Sequence, residues 1–264
     1  MAVAAGLKTF VRGNVLVLRN GVYSERMYLY LNRMAFDHGM QINYARNLLE
    51  LGEMVLKKHY HWICAVHQET TEARINQIDK ICDIASFNKI KVFVDAVSTF
   101  GAYHVDSMAN VICTCGNKCL ESIPGCSIVL YDKDLAQDTG RFCNPLDVHQ
   151  YTSGIPSTHN VPAVNCLYHV LHNESETTRT RYANRVNRIR KGIELEQKFP
   201  ESESINVSCF KCDKEAYIKT HIACKKENLQ IYKYVDDYFL ICNMGYGLGE
   251  HIQKLVEVIN ACVR

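Results

Sequence analysis

Residues Val92 to Ile128 read VFVDAVSTFGAYHVDSMANVICTCGNKCLESIPGCSI, and the fold turns on this stretch. Two apolar, strand-like runs, 91–94 and 110–114, each break off into polar residues: Asp95 and Ser98 after the first, Asn117 and Lys118 after the second. In a parallel α/β sheet the carboxyl ends of neighbouring strands open into one crevice, so an acid and a lysine distant in sequence meet there. Such a pair serves either of two ends. It can be a rim salt bridge, or it can hold a pyridine-aldehyde cofactor, with the lysine forming an imine and the carboxylate keeping the ring nitrogen protonated.

The runs on either side share the pattern. Residues 15–18, VLVL, end at Asn20 and Gly21 and lead into a helix of apolar residues at helical spacing from Ser24 to Met34. A weaker strand is expected near 40–44 and a helix over 45–57. WICAV, 62–66, runs into His67, Gln68, Glu69, Thr70 and Thr71. Residues 74–88 carry Ile75, Ile78, Ile81 and Ile84 on one helical face, and SIVLYDKDLA predicts a further strand over 127–131. Strand ends at Asn20, His67, Asp95 and Asn117 all present polar groups, with intervening helices able to connect them in parallel. The expected fold class is therefore α/β, a mostly parallel, doubly wound sheet flanked by helices. The final part, 205–264, predicts a small α+β domain: strands in INVSCF, LQIYKYV and DYFLICNM, with helices over 213–227 and 249–263. The expected division is 1–165 as the large domain, 166–204 as a linker helix and 205–264 as the small domain. The arginine-dense run TRTRYANRVNRIRKG within the linker reads as a solvated face.

Composition narrows the function classes. The 264 residues are 47% hydrophobic and 22% charged, with 30 basic against 28 acidic residues and a net charge of +2, and the basic residues are scattered. A nucleic-acid or membrane partner is not expected from that balance. No run approaches the roughly 18 apolar residues of a membrane span, and the start MAVAAGLKTFVRG is too short in apolar residues for a secretory signal, so a cytoplasmic location is expected. Most of the 13 cysteines sit in apolar runs and read as reduced, structural thiols. Neither Cys113, Cys115 and Cys119 nor Cys209 and Cys212 finds a matching second pair at zinc-ligand spacing, so no metal is expected.

VDAVSTFG and GNKCLESIPG closely resemble the VDAxSSxGG and SxNKCxxGxPG segments of the class V, fold-type I aminotransferases, the aminoethylphosphonate transaminases above all. GNVLVLRNGVYSERM is similar to that family's GDKVLVxxNGxYGERM, and HQETT to its HxET(S/T)TG. The resemblance implies pyridoxal 5'-phosphate as cofactor, Lys118 as the Schiff-base lysine and Asp95 as the partner of the pyridinium nitrogen. It puts Tyr23 against the cofactor ring, Thr70 on its phenolic oxygen, Val97 and Asn117 beside it, and His67 and Glu69 on the substrate side. Tyr151 and Thr152, in the irregular Gly140–Pro156 stretch, and Thr158 just beyond it correspond to the segment that reaches a neighbouring subunit's cofactor phosphate. A homodimer acting on a small-molecule amine and a keto acid is what the family implies.

The sequence departs from the family pattern in three places. Glu72 and Ala73 stand where Thr and Gly are usual, and a glycine lost from a turn of positive φ reshapes it. Family members carry sixty or more residues before the point matching Met1, including a glycine-rich loop that binds the cofactor phosphate at a helix start; the expectation is an amino-terminally truncated relative with Met1–Gly6 as the rest of that helix. FLICNMG, 239–245, puts Leu240 where the family has the arginine that forks onto the substrate carboxylate. Two alternatives to transamination follow: a degraded homologue serving as a binding or assembly subunit, and a different reaction of the same cofactor, such as a lyase.

Overall fold

A computed structural model of the chain describes residues 1–105, 108–135, 147–151, 160–173, 177–244 and 248–264. The first half alternates strands and helices: α1 (Ala2–Phe10), β1 (Asn14–Leu18), α2 (Val22–His38), β2 (Gln41–Ala45), α3 (Leu48–Lys57), β3 (Trp62–Val66), a hairpin of β4 (Gln68–Glu69) and β5 (Arg74–Ile75), α4 (Ile78–Phe87), β6 (Lys91–Asp95), β7 (Val111–Cys115) and β8 (Ser127–Tyr131). Six of these strands form one sheet in the order β2-β1-β3-β6-β7-β8, parallel throughout except for β8, which runs antiparallel at the edge. The order doubles back at β1, with β2 on one side and β3 on the other, as expected of a doubly wound sheet.

Period-two alternation along the central strands sends residues to opposite faces. Val15, Val17, Cys64, Phe93, Val111 and Cys113 pack under Leu7 of α1 and Met27, Leu31 and Met34 of α2. Leu16, Leu18, Ile63, Val92, Val94 and Ile112 pack under Leu51 and Val55 of α3 and Ile78, Ile81 and Ala85 of α4. Each such fully buried aliphatic side chain stabilises the fold by about 1.5–3 kcal/mol, so the two-sided core is what holds the strand ends in register.

The link from β6 to β7 departs from the expected helix. The described residues between Asp95 and Val111 form turns, with Thr99 N–H donating to Ala96 O (3.1 Å) and Tyr103 N–H to Thr99 O (2.9 Å). At the other departure from the family pattern, Ala73 takes up the left-handed conformation itself (φ 49°, ψ 28°), so the turn after Thr70–Glu72 survives without glycine at a cost of about 1–2 kcal/mol.

The second half holds α5 (Val161–Asn173), α6 (Thr177–Gly192), β9 (Val207–Lys211), α7 (Lys214–Lys226), β10 (Tyr234–Val235), β11 (Tyr238–Cys242) and α8 (Leu248–Val263). β10, β11 and β9 form an antiparallel sheet. Phe210, Phe239 and Ile241 on one face pack against α6, α7 and α8, while Val207, Cys209, Tyr238 and Leu240 on the other pack with Ala73 and Phe199. The helices thus lie on one face of this sheet, and the other face is covered by residues outside helices. The expected strand over LQIYKYV shrinks to Tyr234–Val235.

The arginines of α6 correct a second expectation, for several of them point inward. Arg190 donates to Ser202 O (3.1 Å), Ser204 O (2.9 Å) and Val207 O (3.3 Å), binding the chain that enters β9. Arg181 and Arg185 hold Glu121, three residues beyond Lys118, at 2.6 and 3.4 Å. Tyr182 OH donates to the same carboxylate at 2.8 Å. None of the described helices is long and apolar enough to cross a membrane.

Candidate active site

Asp95 ends β6, and Lys118 lies in the turns after β7. The two strands are hydrogen-bonded neighbours, Asp95 opposite Cys113, so both groups open over the same carboxyl edge. Both line a cavity of about 360 Å³, together with Tyr23, Arg26, Gln68 and Ser98. The Lys118 ammonium donates to Ser98 Oγ at 3.0 Å, which is a neutral partner. Asp95 Oδ1 accepts the Val97 N–H at 3.0 Å. Removal of bulk water pushes the Asp95 acid up to about 6, against the pull of the Val97 N–H and of Lys118. A carboxylate held this way is stabilised by a further cation placed in the cavity.

Glu69 serves a different purpose from the one the resemblance implied. Its Oε2 accepts the Tyr23 N–H (2.8 Å) and its Oε1 the Ser24 N–H (2.6 Å), so both oxygens cap the start of α2. The carboxyl lies where a side chain at residue 21 would be: a Cβ there would come within 2.4 Å of Glu69 Cδ. Only glycine at 21 leaves room for the cap, and the cap fixes Tyr23 at the cavity. Glu69 is completely buried and is not among the cavity-lining residues.

His67 is buried, its ring edge-on to Tyr103 (5.7 Å between ring centres), and its backbone N–H donates to the backbone carbonyl of Asp95 at 2.9 Å. Burial, then the charge of His104, lowers its pKa to about 4, so the imidazole is neutral at ordinary pH. Its Nδ1 has no hydrogen-bond partner among the described residues. Val97 lines the cavity; Thr70, which opens the turn after β4, and Asn117, which is exposed, do not. Thr152 and Thr158, and the side chain of Tyr151, lie outside the described residues.

Leu240 is completely buried in β11, among Ala73, Val207, Cys209 and Tyr238. A cationic clamp has no counterpart at that position. Instead, a cation lines the cavity from α2: Arg26, whose guanidinium lies 5.4 Å from the Tyr23 ring centre. Arg26, Gln68 and Tyr30 are site-lining residues that the sequence reading passed over, although Arg26 and Gln68 stand inside the quoted YSERM and HQET. Gln68 joins the site to the second sheet: its Nε2 donates to Ser204 Oγ (2.9 Å) and Asn206 Oδ1 (2.7 Å), and Asn206 Nδ2 donates to Ser98 O (2.6 Å). The amino-terminal end of α1 completes the wall through Met1, Val3 and Ala4.

A mostly parallel sheet of this order, flanked by helices, is the fold of the fold-type I aminotransferases. Solved structures share it along almost the whole chain. Alanine–glyoxylate aminotransferase from Nostoc sp. superposes with a TM-score of 0.84 at 14% identity, covering 99% of this chain and 78% of that one. Pyridoxamine–pyruvate aminotransferase from Mesorhizobium loti does so with a TM-score of 0.80 at 19% identity, over 100% and 76%. In sequence, the chain is similar to 2-aminoethylphosphonate–pyruvate transaminase 2 of Paraburkholderia xenovorans (strain LB400), 32% identical over 165 residues, which are 56% of this chain and 43% of that protein. It is also similar to the bifunctional phosphonoacetaldehyde hydrolase/aminoethylphosphonate transaminase of Clostridioides difficile (strain 630), 31% identical over 135 residues, 46% of this chain and 20% of that protein. The chain thus spans less than half the length of these curated relatives. No family model matches it.

Proposed function

We propose that the chain is a pyridoxal phosphate-dependent aminotransferase, acting on a small phosphonate-bearing amine of the 2-aminoethylphosphonate kind and a keto acid such as pyruvate. The observation that carries this reading is the placement of Asp95 and Lys118 on one cavity, with the acid raised to about 6 by desolvation. The residues fit the cofactor. Its pyridinium would add a second cation beside Asp95, and among the described residues the one hydrogen-bond partner of Lys118 is the Ser98 hydroxyl, which leaves the amine available to condense with an aldehyde. Bound there, the cofactor would supply the electron sink for the carbon that loses its proton.

The chain's own groups do the rest. Asp95 would hold the proton on the ring nitrogen, and its bond from Val97 keeps the carboxylate oriented. With the cofactor bound, the Lys118 amine would be the base that takes the proton from the substrate carbon bearing the amino group. Ser98 Oγ steadies that amine. Tyr23, set by the Glu69 cap, would hold the ring, and the amino-terminal end of α1 would favour the phosphate. Arg26 takes the anionic end of the substrate in place of the family's arginine, since Leu240 offers it no hydrogen bond.

A second reading rests on the apolar surroundings of Leu240: a chain that binds the cofactor but transfers no amino group, serving in assembly. One titration series separates them. Pyridoxal phosphate added to the purified chain should give an imine absorption band that borohydride fixes onto Lys118 and that Lys118→Ala abolishes. A screen of amine donors should then discharge the band, with aminoethylphosphonate among the effective ones. No band in the wild type ends the cofactor reading; a band that no amine discharges favours the assembly role.

A further inference from the structure

The amino-terminal edge of the large sheet carries a second opening, on the side away from Lys118. There the chain starts β1, β3 and β6, at Asn14, Trp62 and Lys91. A cavity of about 500 Å³ lies against these starts, lined by Arg12, His59, His61, Trp62, Lys89 and Lys91, with Phe10 and Gly13 behind. Three fixed cations and two imidazoles converge on it, and none of the described lining residues is acidic.

Some cations elsewhere are paired with a carboxylate: Arg19 with Glu25, Arg74 with Glu72, Lys198 with Asp237, Lys254 with Glu227 and Arg264 with Glu194. Arg12, Lys89 and Lys91 have no carboxylate partner among the described residues. Like charges gathered in a recess raise the local potential, and a bound anion relieves it.

Local geometry prepares donors rather than acceptors. Arg12 donates to Val11 O (2.7 Å) and Lys8 O (2.8 Å), covering carbonyls at the end of α1 that would otherwise repel an anion. His61 Nδ1 accepts the Asn14 N–H at 3.0 Å, which leaves the proton of the neutral ring on Nε2 as a donor. That arrangement needs Gly13, where φ is +76° and a Cβ would lie 2.8 Å from His61 Nδ1. Lys91 Nζ stands 5.6 Å from the Trp62 ring centre.

We infer that this recess is an anion site for a small, multiply charged phosphate compound of the pyrophosphate or phosphate-ester class. Three cations match two or more phosphate charges, and the strand starts hold them on a rigid edge. The site is separate from the proposed catalytic one, and its occupant would not contact Lys118.

Trp62 is the only tryptophan of the chain and lines the recess, so its fluorescence reports on it. The intact chain is titrated with inorganic pyrophosphate, by fluorescence and by calorimetry. Saturable binding is expected with half-saturation at or below about 1 mM. Added salt should weaken it steeply, and the double variant Arg12→Gln, Lys91→Gln should weaken it tenfold or more while far-UV circular dichroism stays unchanged. Lys89→Gln serves as the second variant should the first fail to fold. Arg26→Gln, at the other cavity, should bind as the wild type does. No binding by calorimetry, or binding that survives the recess variants, or binding lost in Arg26→Gln alone, would overturn the inference.

Discussion

Replacing Glu121 by alanine should loosen the segment that carries Lys118, and the size of the effect can be worked out. The Glu121 side chain is 7% exposed and that of Arg185 8%, so this pair is desolvated on both sides, whereas Arg181 is 35% exposed. Breaking a buried pair by removing one partner costs about 3–5 kcal/mol, because the other charge is left behind without water. The Arg185 contact is long, at 3.4 Å, and Arg181 can recover solvent, which favours the lower end. The Tyr182 hydroxyl loses its acceptor as well, adding about 1 kcal/mol. A loss of about 3–4 kcal/mol is expected by urea unfolding at neutral pH. Glu121→Gln keeps an acceptor for Tyr182 and loses only charge, so it should cost about half as much. A parallel assay follows the growth of the imine band on adding pyridoxal phosphate, which the alanine variant should slow more than its stability loss explains. A destabilisation under 1 kcal/mol, equal for both variants, would show that the cluster does not anchor this segment and would refute the reasoning.

Asp95 gives a pH signature. Its folded-state pKa, about 6, lies above the ordinary carboxylate value of about 4, so between these two the native chain holds a proton that the unfolded chain has released. Stability therefore falls as pH rises through that window, by about 1–3 kcal/mol, and Asp95→Asn should abolish this component; parallel wild-type and variant curves of unfolding free energy against pH would contradict it. Gly21→Ala should drive the Glu69 carboxyl from the Tyr23 and Ser24 amides, lowering stability by about 2–4 kcal/mol and slowing cofactor capture, checked by thermal unfolding and absorbance. Leu240→Ala should cost about 3 kcal/mol in chemical unfolding while leaving the borohydride-fixed yield on Lys118 unchanged.

Much of the large sheet was legible because its strands are buried on both faces: an unbroken run such as WICAV cannot sit at a surface. The meeting of Asp95 and Lys118 was legible for the same reason, since parallel strands bring their carboxyl ends to one edge. Residues whose role depends on a distant partner were not. The arginines of α6 look identical along the helix, and only the position of Glu121 across the fold separates the inward-facing Arg181 and Arg185 from a solvated row. Glu69 reads as a polar strand end; its capping of α2 spans 46 positions of sequence to Tyr23. The turns between β6 and β7 were not legible because a link between parallel strands is usually a helix, and nothing local in the sequence marks this one as an exception.

The hydrogen bonds from Gln68 to Ser204 and Asn206 run through the wall of the cavity itself, and Tyr103 OH accepting the Ile205 N–H (2.6 Å) and Tyr238 OH donating to Thr71 O (2.8 Å) fasten the same seam. A clamshell that swung its smaller lobe to admit a guest would have to tear these rivets on every cycle. Among the described residues, the smaller lobe is riveted to the rim of the cup, and those rivets belong to the same wall that a guest would touch.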